Sequence, residues 1–87
     1  MDISIKVTYK SEGLQKLRKA AGLSQSQLAN KAGIRVQVLQ QYEQGVRDLS
    51  GAKLATLLKL CNALECRLAD IVTDEETLEL LKAYDNH

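Results

Sequence analysis

The sequence predicts an all-α domain: five helices, with a short N-terminal strand before them and an extra C-terminal helix after them. Three observations carry this. The apolar 45% of the 87 residues is almost wholly aliphatic, since Tyr9, Tyr42 and Tyr84 are the only aromatics. There is no proline to break helices, and straight-chain residues lose little freedom on entering them. Capping signals also punctuate the chain at helix-length intervals.

The strand comes first. Ile3, Ile5, Val7 and Tyr9 alternate with polar residues, the period of a half-buried strand. No second strand follows, so its ladder groups need a partner, and the same strand from a second copy is the simplest one. Ser11 is expected to cap a first helix over 12–21, closed by Gly22. Ser24 with Gln27 forms a capping box for a short second helix, 24–31, which stops near Gly33. A third helix covers 36–43, ended by Gly45. Ser50 is expected to cap a fourth over 51–63, with Leu54, Leu57, Leu58, Cys61 and Leu64 on its apolar stripe. A fifth piece spans 68–72. Thr73 and Glu76 then read as a second capping box, opening a last helix to Tyr84 whose apolar side is Leu78, Leu81 and Tyr84. This divides the chain into an arm (1–10), a central domain (11–72) and an acidic C-terminal helix (73–87).

Charge follows the same division. Residues 1–69 hold eleven Lys and Arg against five Asp and Glu, whereas residues 70–87 hold only Lys82 against six carboxylates. A basic body suits a polyanion, and an acidic tail stays away from one. No stretch is long and apolar enough to span a membrane, and no signal-peptide pattern opens the chain, so a cytoplasmic location is expected. Cys61 and Cys66 lack a histidine cluster and read as reduced, buried thiols rather than metal ligands or a disulfide.

An enzyme is not expected. His87 is the only histidine, no glycine-rich phosphate loop is present, and the carboxylates cluster in the tail. No cofactor or metal is implied.

The center of the chain is more telling. Two short helices joined by a tight turn run from Ser24 to Glu43, with Ala29 small enough for close approach, Gly33 in the turn, and Ile34 and Leu39 as anchors. The stretch Leu17-Arg-Lys-Ala-Ala-Gly-Leu-Ser-Gln-Ser-Gln-Leu-Ala29, with Gly33-Ile34, Tyr42-Glu43-Gln-Gly45 and the leucine-rich run Leu54 to Leu64, resembles the phage repressor/Cro (XRE-like) helix-turn-helix family over about 12–72.

The resemblance implies a lambda-repressor-like fold, sequence-specific binding of double-stranded DNA, and a role as a small transcriptional regulator, in the first place a repressor. It places the third helix in the major groove. Val36, Gln37, Gln40 and Gln41 would then face bases: a glutamine amide can donate to and accept from adenine together, and Val36 could touch a thymine methyl. Gln25 would reach a phosphate, with Arg35, Arg47 and Lys53 as further backbone contacts. Arg18 and Glu43 match a structural ion pair tying the first helix to the end of the third. Arg35 stands where a small capping residue is usual, Leu49 where proline is frequent, and Glu65 where glycine is common; Asp48 puts a negative charge beside Arg47.

A palindromic operator bound by a homodimer is expected, since one helix reads only a few base pairs. Strand 3–9 and helix 74–84 are the candidate dimer surfaces. The same surfaces leave open a second class of function, an antitoxin or other protein-interaction module on this fold.

Overall fold

The computed structural model describes residues 12–86, and within them every regular element is a helix. The expected strand at 3–9 and the Ser11 cap lie outside the described residues. The helices are α1 (Glu12–Ala20), α2 (Gln25–Ala32), α3 (Val36–Glu43), α4 (Leu54–Leu64), α5 (Leu68–Ile71) and α6 (Glu75–Asp85), with a 3₁₀ turn at Leu49–Gly51.

Helix α2 forms where the sequence directs. The Ser24 hydroxyl accepts from the Gln27 N–H, and the Gln27 side chain accepts from the Ser24 N–H at 2.8 Å. Together these satisfy two donors that a helix start otherwise leaves open. Its far end closes at Gly33, whose φ of 71° lets Ile34 N–H bond back to the Ala29 carbonyl. That left-handed residue turns the chain within three residues, so that α3 packs against α2. Helix α3 ends in the same manner, with Gly45 at φ 75° and Val46 N–H bonded to the Gln41 carbonyl.

The core is one aliphatic cluster. Leu14 from α1, Leu28, Ala29 and Ala32 from α2, Leu39 and Tyr42 from α3, Leu57, Leu60, Cys61 and Ala63 from α4, and Ile71 from α5 are all buried. Neither α2 nor α3 could close such a core alone. α4 lies over α2, while α1 bridges α3 and α5, so the two short helices rest on a platform made by the other three.

Three local expectations are corrected. Helix α4 begins at Leu54, not at 51, and Ser50 does not cap it. Ser50 lies in the 3₁₀ turn, where its hydroxyl accepts from the N–H groups of Thr73 and Asp74 at 3.2 Å. Its own N–H is taken by the Asp48 carboxylate, so Asp48 caps the turn. The buried stripe of α4 is Leu57, Leu60, Cys61 and Ala63; Leu54 and Leu58 face solvent. Last, α6 is capped by Asp74, whose carboxylate accepts from both the N–H and the hydroxyl of Thr77, and not by a Thr73–Glu76 box. Those donors hold the Asp74 carboxyl below the usual carboxylate range. The cap therefore acts at neutral pH and is lost as pH falls through that lowered value.

Cys61 is buried and Cys66 half-buried, and both are free thiols. Burial, and secondarily the neighbouring Cys66, push the Cys61 thiol up to about 12, which keeps it protonated and unreactive. They meet because α4 ends on a left-handed residue, with the N–H groups of Glu65 and Cys66 both bonded to the Cys61 carbonyl. Glu65 adopts φ 54° there, a conformation that disfavours a side chain. Glu65→Gly is thus expected to stabilise the domain by about 1 kcal/mol, seen as a rise of roughly 4–8 °C in the thermal midpoint; an unchanged or lower midpoint would refute this reading of the turn.

Candidate nucleic-acid interface

The surface of interest is built on α3. Leu39 and Tyr42, 0% and 4% exposed, point into the core and fix the roll of the helix. The opposite side is polar. Gln37 is exposed, and Gln40 and Gln41 are half-buried. Val36 is also half-buried, but it packs against the core cluster, which draws it away from the exposed edge of the helix.

The end of α3 is held by charge. Arg18 is 8% exposed, and its guanidinium meets Glu43 as a fork: Nε donates to Oε2 at 2.8 Å and a terminal nitrogen to Oε1 at 2.9 Å. A third donor reaches the Leu23 carbonyl at 2.9 Å. One side chain of α1 therefore grips the last residue of α3 and the turn before α2. Two planar bonds fix direction as well as distance, which a single point charge cannot do.

This grip extends outwards in a way the sequence does not reveal. Gln25, the first residue of α2, donates to Glu43 Oε1 at 3.3 Å and accepts from Gln40 Nε2 at 3.4 Å. Arg18, Glu43, Gln25 and Gln40 thus form a continuous polar path from the core to the surface. Residues from three helices build it, so no spacing along the chain announces it.

Cations flank the glutamines. Arg35 is exposed at the start of α3, with extended backbone and no side-chain cap. Arg47 is exposed in the loop after α3, its guanidinium 5.9 Å from the Tyr42 ring centroid. Stacking there restricts where that charge can point. Asp48, its sequence neighbour, is turned to the Ser50 N–H. Lys53 is exposed immediately before α4. Among the described residues no cluster of three or more metal-ligating side chains occurs.

The helix-turn-helix family model matches residues 14–71, which include all of α2 to α5 and everything just described on α3. The chain belongs to the helix-turn-helix family, of the phage repressor/Cro (XRE) type.

Among solved structures, this helix-turn-helix chain is similar to the restriction-modification controller protein C.AhdI from Aeromonas hydrophila. The two are 34% identical, with 68% of this chain and 85% of that one covered at a TM-score of 0.61. A transcriptional regulator from Listeria innocua shares the fold at 18% identity, covering 87% of this chain and 75% of that one with a TM-score of 0.58. No curated protein matches the chain. Among the described residues no helix is long and apolar enough to cross a membrane.

Proposed function

We propose that this helix-turn-helix regulator binds double-stranded DNA sequence-specifically, with α3 in the major groove and Gln37, Gln40 and Gln41 toward the bases. The observation that carries the reading is the way α3 is held. A buried pair of apolar residues and a bidentate ion pair fix it, while its opposite side offers amides and no competing apolar surface. Base reading needs that rigidity, because an amide misplaced by a fraction of an ångström loses its paired bonds.

Gln37 is the leading base reader, being the exposed glutamine of the three. Gln25 acts at the backbone: the start of α2 offers N–H groups to a phosphate, and its side chain is steadied by Gln40 and Glu43. Arg35, Arg47 and Lys53 supply phosphate contacts around this edge. Val36 contributes at most an apolar touch, given its packing on the core.

Recognition of a useful length of DNA calls for two such helices, so the protein acts as a homodimer on a palindromic operator with half-sites about 34 Å apart. Occupying such a site blocks access to it, which makes repression the simplest mode of regulation.

The division of labour is testable. Gln37→Ala should lose about 1–3 kcal/mol on the cognate duplex and little on unrelated DNA. Arg47→Ala should weaken every duplex alike and lower the slope of log affinity against log salt by about 1. Titrations of both variants against a cognate and a scrambled duplex at several salt concentrations decide the point. Identical behaviour of the two would contradict it.

A further inference from the structure

The two cysteines take no part in the surface built on α3. Cys61 belongs to the buried cluster, Cys66 packs against it, and the two thiols are hydrogen-bonded to each other. On an uninterrupted helix, residues five apart stand about 140° apart around the axis and cannot meet. Glu65, at φ 54°, instead folds the chain back after α4, and the Cys66 N–H reaches the Cys61 carbonyl at 3.0 Å. A bond of that kind closes the turn and brings its first and sixth side chains together.

We propose that Cys61 and Cys66 are an oxidative modification site, a thiol pair that a peroxide converts to an intramolecular disulfide closing the α4–α5 turn.

The backbone accepts this bond as it stands. With ordinary bond lengths on either side of the 3.0 Å hydrogen bond, the two Cα atoms are no more than about 7 Å apart. Disulfides span about 4.4–6.8 Å between Cα atoms. The thiols are already in contact, so rotation of two side chains makes the link and no helix has to move.

Exposure assigns the roles. Cys66 is half-buried and can meet the oxidant, whereas Cys61 is 5% exposed and cannot. The Cys66 thiolate attacks one peroxide oxygen and the O–O bond breaks. The other oxygen leaves as hydroxide, which takes up the proton lost by the thiol and becomes water. The Cys61 sulfur then displaces hydroxide from the sulfenic sulfur, and the Cys61 proton departs with it as a second water. Two thiols lose two electrons in all, and one peroxide is reduced to two waters. Burial holds the Cys66 thiol above its ordinary range, so only a small thiolate fraction reacts and the first step is slow. The second step is fast, because the resolving thiol is held against its target.

The link would staple α4, part of the platform that carries α2 and α3, without touching the exposed side of α3. Its chemistry is independent of what α3 binds.

The test is peroxide treatment of the full folded chain at neutral pH, followed by trypsin and mass spectrometry. Cleavage after Lys59 and Arg67 gives one peptide, Leu60 to Arg67, that holds both cysteines and no methionine. The expected product is that peptide lighter by two hydrogens and restored by dithiothreitol. In Cys61→Ala, Cys66 should instead go on to sulfinic and sulfonic acids. A disulfide between two chains, added oxygen in the parent peptide, or an unmodified peptide would each overturn the proposal. Thermal unfolding gives a second readout: the oxidised parent chain should melt roughly 10 °C above the reduced one. An unchanged or lower midpoint would mean that the turn does not accept the bond, which likewise overturns it.

Discussion

Arg18→Ala is expected to destabilise the domain by about 3–5 kcal/mol, a large share of the stability of a chain this size. The Glu43 side chain is only 2% exposed, and the substitution removes both arms of its fork. It also takes a donor from the Leu23 carbonyl. The loss therefore comes mainly from taking the guanidinium away from a nearly buried carboxylate that keeps the Gln25 amide beside it, not from the net worth of the pair, which is small. Thermal unfolding followed by circular dichroism should show the midpoint fall by about 4–8 °C for each kcal/mol. Arg18→Lys should restore only part of the loss, since an ammonium cannot present two parallel donors. A cost below about 1 kcal/mol, as for an exposed pair, would show that Glu43 finds compensation elsewhere.

The second large effect separates the two sides of α3. Leu39→Ala should cost about 2–5 kcal/mol, because Leu39 is 0% exposed in the middle of the core cluster and its truncation leaves a cavity there. Two residues earlier, Gln37→Ala should change stability by no more than about 0.5 kcal/mol. Urea unfolding of the pair checks this: the midpoint should move for one and stay for the other, with similar slopes. Comparable losses would mean that Gln37 is part of the packing, and its assignment as a base reader would fail.

How far the sequence reveals this molecule depends on the range of each interaction. The box at Ser24 and Gln27, the stop near Gly33 and the bounds of α3 are local, fixed within a few residues, and the structure has them as read. Arg18 and Glu43 are 25 residues apart, and only resemblance to a family joins them before the structure does.

The misread caps have a shared cause. Ser50 and Thr73 look like caps because each precedes a helix. In the fold Ser50 instead serves the junction at Thr73 and Asp74, a contact across 23 and 24 residues. Asp74, a neighbour as good at capping as Thr73, took the helix start. On α4 the expected stripe agrees at Leu57 and Cys61, but the packing of the helix on α2 and α5 turns Leu60 and Ala63 inward and leaves Leu54 and Leu58 outside, a rotation that leucines on several sides of the helix do not reveal in sequence. The link from Gln25 to Gln40 and Glu43 was illegible for a plainer reason, as it joins two helices through amide groups that carry no spacing rule.

The central claim, that α3 reads base sequence, is tested most directly by selecting bound duplexes from a random DNA pool with the full chain and with Gln41→Ala. A palindromic motif enriched by the parent protein, and changed at defined positions in both half-sites by the variant, is the predicted result. No enriched motif, or the same motif from both proteins with only weaker overall binding, would contradict it.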